Sequence, residues 1–192
     1  MIYIKDDFLD KELFNLLNKD LNNFSKVDTP GKSFWVKEPD VEFVKYMEAK
    51  LSVLENKKVE NILCFFREAK KNQDNTWRIH NDSIINNQQP DRSIVLFMSE
   101  SKSNALNGTA LWEHKEYGDT FLDVNDYKKY DKLLLEDSEN LNKWNLKTII
   151  GHKPNRLLSF PSNYFHSKYP KEFKESRVVL VMFYKIKQYE RK

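Results

Sequence analysis

Apolar positions change their period along this chain, and the change divides it. A short apolar run from Met1 to Phe8 reads as a strand, after which Leu13, Leu16, Leu17 and Leu21 fall on one stripe of a helix that Asp10 is positioned to cap. Pro39-Asp40 opens a second helix, with Val41, Val44, Met47, Leu51 and Leu54 on a shared face and an end near Asn56-Lys57. From Ile62 onward the pattern becomes that of short strands separated by Asn, Asp, Ser and Pro clusters. These are Ile62 to Phe66, Trp77 to Asp82, Ser93 to Met98, Thr109 to Glu113, Lys147 to Ile150, Arg156 to Phe160 and Arg177 to Ile186. Helices first and strands after predict an α+β fold, a double-sheet jelly roll supported by N-terminal helices.

The stretch from His114 to Asn145 interrupts that rhythm. Tyr127, Tyr130, Leu133, Leu134 and Leu135 among many charges predict a short helix inside a long loop, either a lid or a solvated insertion at the sheet edge. No composition break divides the 192 residues, so one domain is expected: a helical buttress over 1–58 and a jelly-roll core over 59–192, with the insertion near 114–145. A content of 40% hydrophobic and 14% aromatic residues is enough for a core.

Thirty-two basic and 29 acidic side chains leave a net charge of +3, too balanced for a sequence-independent grip on phosphate backbones, so nucleic acid is not an expected partner. The N-terminus has neither a cationic leader nor a long apolar run, and no window approaches a membrane span; a cytoplasmic protein is expected. Cys64 is the only cysteine, which rules out intrachain disulfides and predicts a buried, inert thiol.

Candidate chemistry begins at His80-Asn81-Asp82. Residues two apart on a strand project to the same side, so His80 and Asp82 point together, while Trp77 and Ile79 join the packed layer opposite. Two imidazoles and a carboxylate can cap one face of a ferrous ion and leave the other open for a chelating co-substrate and dioxygen. His166 is the candidate third ligand; it follows the strand-like Arg156 to Phe160 closely. Arg177 heads the strongest strand signal, Arg177 to Tyr184, and a guanidinium entering a buried strand is costly unless a carboxylate meets it, which points to an acidic ligand.

The bland readings are a hydrogen-bonded core histidine for His80, a turn residue for Asp82 and a surface turn residue for His166. A second triplet, His114-Lys115-Glu116, shows how little such a pattern proves alone. Arg92 and Arg156 read as surface or structural pairs, not catalytic groups.

Taken together, these residues resemble the Fe(II)/2-oxoglutarate-dependent dioxygenase superfamily, whose pattern is H-x-D/E, a distal histidine and a basic residue on a late core strand. Asn107-Gly108-Thr109-Ala110-Leu111-Trp112 is similar to an element that follows the metal strand in prolyl-hydroxylase-like members, and Pro90 to Met98 to their intervening strand. The resemblance spans roughly Ile62 to Tyr184. It implies a double-stranded β-helix in which His80, Asp82 and His166 hold Fe(II) and Arg177 pairs with the distal carboxylate of 2-oxoglutarate. The activity implied is an oxidoreductase that hydroxylates a small-molecule or peptide substrate, such as a peptidyl proline or an amino acid.

The chain also departs from the pattern. Val179 stands where members often carry a hydroxyl that shares this carboxylate, leaving Ser93, Ser159 and Tyr164 as candidates, and Phe183 stands where nucleic-acid repair members carry a second arginine. Two other readings are a noncatalytic jelly-roll module binding a carbohydrate, peptide or partner chain, and a cupin-like metalloenzyme whose ligands include His114 or His152.

Overall fold

In a computed structural model of the chain, residues 1–29, 32–70, 78–99, 107–121, 127–172 and 175–187 are described. Ten strands run in chain order: β1 (Tyr3–Lys5), β2 (Ser25–Thr29), β3 (Lys32–Lys37), β4 (Lys58–Ala69), β5 (Arg92–Phe97), β6 (Gly108–His114), β7 (Trp144–Gly151), β8 (Leu157–Pro161), β9 (His166–Tyr169) and β10 (Arg177–Lys187). Three helices join them: α1 (Lys11–Lys19), α2 (Val41–Glu55) and α3 (Tyr127–Asp137). The strands form a seven-stranded sheet in the order β1-β8-β5-β10-β4-β3-β2 and a three-stranded sheet in the order β7-β6-β9. Every pairing is antiparallel, and two such sheets face to face make the expected jelly roll.

Strand parity explains the burial. Along β10, Val178, Leu180, Met182 and Tyr184 join a cluster with Met47 and Leu51 of α2, whereas Val179 and Val181 belong to a second cluster with Phe97, Leu111 and Phe160 between the sheets. A strand covered on both faces reads as a continuous apolar run, and β5 is buried at all six positions. On β6 the parity sends Ala110 and Trp112 to a third cluster with Leu133 and Leu134 of α3, so the helical part of the insertion completes a core layer.

The helices form for the predicted reasons, with adjustments. Asp40 caps α2, its Oδ1 accepting from the Glu42 amide at 2.8 Å, and Asn56 ends the helix in the left-handed region at φ 51°. Asp10 does not cap α1 with its side chain, which instead accepts from the Tyr46 hydroxyl at 2.9 Å. Leu16 and Val41 are exposed, while Phe43, outside the predicted stripe, is buried. Residues 1–58 supply β1, within the run expected as a strand, and also β2 and β3, which the apolar pattern did not separate from a helical buttress. The β2–β3 hairpin is built mainly from polar residues and is held by adding to the edge of β4.

The predicted strand over Trp77 to Asp82 is corrected. Trp77 lies outside the described residues, and the rest forms one isolated bridge, His80 with His166. Its backbone bonds go to scattered partners instead of a ladder: Ile79 donates to the Ser138 carbonyl, His80 to His166 and Asp82 to Ser162.

Gly108 is required by close approach. A Cβ there would lie 1.9 Å from the Ile150 carbonyl oxygen, because β6 and β7 cross tightly at the Gly108–Gly151 pair. Gly108→Ala is therefore expected to cost about 3 kcal/mol or more in urea unfolding; a shift below about 0.5 kcal/mol would show that the sheet yields freely.

The two predicted structural arginines are paired. Arg92 lies 2.9 Å from Glu55 in the core, and Arg156 meets Asp6 at 2.6 Å, which with Lys153 holds the Asp6 carboxyl well below the usual carboxylate range. Cys64 is buried, and burial pushes its thiol up to about 12. Among the described residues no helix is long and apolar enough to cross a membrane.

Candidate metal centre

His80, Asp82 and His166 converge at the mouth of the cleft between the sheets. One donor atom from each lies within 4.8 Å of the others. His80 Nε2 is 3.9 Å from Asp82 Oδ1, and His166 Nε2 is 3.4 Å from Asp82 Oδ2. Adjacent ligands of an octahedral ion stand roughly 3 Å apart, near enough to these separations to make the set a candidate cation site.

The surroundings orient the donors. His166 Nδ1 donates to the Tyr164 carbonyl at 3.0 Å, which fixes the tautomer and leaves the Nε2 lone pair facing Asp82. Ser93 donates to Asp82 Oδ2 at 2.8 Å. Asn81 points away, as expected: its side-chain amide donates to the Phe121 and Asn163 carbonyls, while the Tyr130 hydroxyl of α3 both donates to its backbone carbonyl and accepts from its backbone N–H at 3.0 Å. α3 thereby anchors the segment that carries two of the candidate ligands. Ser93→Ala is expected to lower divalent-metal affinity about 10- to 100-fold in a competition titration, with the fold retained; a change below about threefold would remove Ser93 from that role.

Arg177 lines the same cleft and is 8% exposed, so it does not face solvent. Its Nη2 donates to Thr109 Oγ1 at 3.2 Å and to the Gly108 carbonyl at 3.3 Å, and its guanidinium lies 5.4 Å from the Phe97 ring centroid. The hydroxyl beside the arginine is thus that of Thr109, which sequence reasoning quoted but gave no role. Inward parity with Leu111 on β6 was the available signal. Ser93 is committed to Asp82. Ser159 is fully buried, bonded to Arg92 and within 3.3 Å of the Tyr184 hydroxyl, and Tyr164 is not among the described residues lining the cleft.

The alternative ligands do not assemble. Both His114 ring nitrogens are engaged: Nε2 lies 3.1 Å from Asp137 Oδ2, and Nδ1 accepts from the Glu116 and Tyr117 amides at 3.2 and 3.3 Å. His152 hydrogen-bonds through Nε2 to the Ser99 carbonyl. Among the described residues, His80, Asp82 and His166 are the sole group of three or more placed to share an ion, and neither His114 nor His152 belongs to it.

Burial depresses His152 to about 4, and the nearby Arg177 and Arg156 charges act in the same direction against the Ser99 hydrogen bond. Above its ordinary value of 6.5 the imidazole is neutral folded or unfolded and contributes nothing. As the pH falls from there toward 4, the unfolded chain takes up a proton that the folded one refuses, so stability drops. At pH 5.5 this loss is expected to be on the order of 1 kcal/mol by urea unfolding and absent in His152→Gln; equal pH dependence in both proteins would contradict it.

No protein-family model matches the chain, and no curated protein matches it. Solved structures do. The chain is similar to a Pseudomonas putida prolyl-4-hydroxylase, with 13% identity, coverage of 97% of this chain and 93% of that one, and a TM-score of 0.56. It is also similar to HygX from Streptomyces hygroscopicus, solved with nickel, 2-oxoglutarate and hygromycin B, with 11% identity, coverage of 96% and 82%, and a TM-score of 0.62. A third is SnoK, a non-haem α-ketoglutarate-dependent carbocyclase from nogalamycin biosynthesis, with 7% identity, coverage of 95% and 78%, and a TM-score of 0.61. The fold of this chain is therefore the one shared with these solved structures, a two-sheet double-stranded β-helix, with a prolyl hydroxylase among its structural neighbours.

Proposed function

We propose that this chain is a non-haem iron dioxygenase that couples oxidative decarboxylation of 2-oxoglutarate to hydroxylation of a substrate, with His80, Asp82 and His166 holding Fe(II) and Arg177 binding the co-substrate. The observation that carries the reading is the convergence of three donors within 4.8 Å in a cleft that also contains a buried arginine. The groups bound in the HygX structures, iron in one and nickel with 2-oxoglutarate in another, agree with the same pair of cofactors here.

Bound Fe(II) would let dioxygen, the oxidant, be activated with electrons taken from 2-oxoglutarate; the protein's own residues place and shield that chemistry. Asp82, steadied by Ser93, contributes the one negative charge of the ligand set, and His166 presents Nε2 because Tyr164 occupies Nδ1. Arg177 is suited to the distal carboxylate by its fork and its burial, and Thr109 supplies the hydroxyl that Val179 cannot. Val95, Val179, Val181, Phe65 and Phe160 line the cleft with apolar surface that excludes water and strengthens those charge contacts.

Protein purified without air should bind one equivalent of Fe(II) and then 2-oxoglutarate, and should form succinate and carbon dioxide once dioxygen is admitted. A protein that takes up neither would instead be a noncatalytic jelly-roll module.

A further inference from the structure

His80 and Asp82 bring donor atoms to within 3.9 Å of each other although the segment that carries them is not a strand. It pairs only at the His80–His166 bridge, where each backbone N–H donates to the other residue's carbonyl, at 3.1 and 2.8 Å. Bonded and non-bonded positions alternate along an antiparallel pair, so Asn81 turns its own N–H and carbonyl away from His166. A second strand would normally receive them.

The Tyr130 hydroxyl takes that strand's place with a single oxygen. It donates to the Asn81 carbonyl and accepts from the Asn81 N–H, each at 3.0 Å. Those two groups belong to the peptide planes that join His80 to Asn81 and Asn81 to Asp82. Since each plane is rigid, turning His80 and Asp82 apart requires rotating one of them, and the hydroxyl resists both rotations. Burial pushes the phenol well above its ordinary range, so the oxygen keeps the proton that it donates.

The hydroxyl is itself held in place. The Tyr130 ring lies 5.6 Å from that of Phe121, and Leu133 and Leu134 of α3 share a buried cluster with Ile79. Just past the end of α3, the Ser138 hydroxyl accepts from the Ile79 N–H at 3.2 Å. The helical part of the insertion thus grips the segment at two points that flank His80.

Resting on the dioxygenase reading above, we propose that Tyr130 is a positioning residue of the metal centre: standing in for a missing strand, its hydroxyl fixes the peptide planes on either side of Asn81 and so sets how His80 and Asp82 face the ion. Tyr130 acts through the backbone and supplies no ligand.

The test compares Tyr130→Phe with Leu133→Ala. The first removes one oxygen and keeps the ring; the second opens a cavity one turn further along the same helix and removes no hydrogen bond to the segment. Both should lower the urea midpoint. Ni(II) affinity, read by competition with a chelating dye, is expected to fall about 10- to 100-fold in Tyr130→Phe and to stay within about threefold in Leu133→Ala. The ligand-field bands of Co(II)-loaded protein should move in the first variant and not in the second. In metal-free Tyr130→Phe the His80 and Asp82 amides, whose own acceptors are untouched, should exchange with deuterium at least about tenfold faster than in wild type.

The proposal is overturned if Tyr130→Phe binds Ni(II) within about threefold of wild type, or if Leu133→Ala loses as much, since helix packing would then hold the ligands. A Tyr130→Phe protein that does not fold would also overturn it, because the hydroxyl would then be holding the core. Wild-type protein that takes up neither Ni(II) nor Co(II) would instead sink the dioxygenase reading, and the exchange rates at His80 and Asp82 would still decide whether Tyr130 holds their segment.

Discussion

Asp82→Ala is expected to leave a folded protein that neither retains a divalent ion nor forms succinate from 2-oxoglutarate. Asp82 is the one anionic member of the donor set, and its two oxygens face the two imidazoles at 3.9 and 3.4 Å. Without it, two neutral nitrogens remain, one of them on a segment joined to β9 by a single bridge. Loss of an outer partner of a metal ligand typically costs 10- to 100-fold in affinity, so loss of a ligand should exceed roughly 100-fold. The fold should survive, because the segment is held by the Asn81 contacts and the Ile79 side chain, neither of which involves this carboxylate. A shift in unfolding free energy within about 1 kcal/mol would match that view. Metal analysis after anaerobic gel filtration reads the result directly, and an undiminished one-to-one iron content would refute the ligand assignment.

Arg177→Ala is expected to weaken 2-oxoglutarate binding by two to three orders of magnitude while leaving metal affinity unchanged. Truncating one partner of a buried, charged, hydrogen-bonded contact costs about 2–5 kcal/mol, and tenfold in affinity corresponds to about 1.4 kcal/mol. Arg177→Lys should fall between, since an ammonium keeps the charge but not the fork that reaches Thr109. Thr109→Val removes only the hydroxyl and should cost about tenfold. Titration of 2-oxoglutarate into nickel-loaded protein separates these effects from turnover. An apparent affinity within twofold of wild type in Arg177→Ala would take this residue out of the site.

Much of the fold was legible because burial leaves a periodic mark. α2 and β5 announced themselves through a capped apolar face and an unbroken apolar run, each buried against more than one neighbour. The β2–β3 hairpin was not legible, since Ser25–Thr29 and Lys32–Lys37 carry mixed polarity and owe their strand form to the edge of β4.

The candidate site divides the same way. The spacing of His80 and Asp82, and the placing of Arg177 at the head of an apolar strand, are local properties of the chain, although the strand expected to align the first two is only a single bridge at His80. That His166 joins them, that Ser93 steadies Asp82, and that Thr109 stands beside Arg177 depend on which strands become neighbours across two sheets. Those contacts join residues 11 to 86 positions apart, and the sequence carries no periodic signal for pairs so separated. Only the closure of the two sheets on a shared core decided them, because each strand's inward parity acquires a partner once the other sheet is in place.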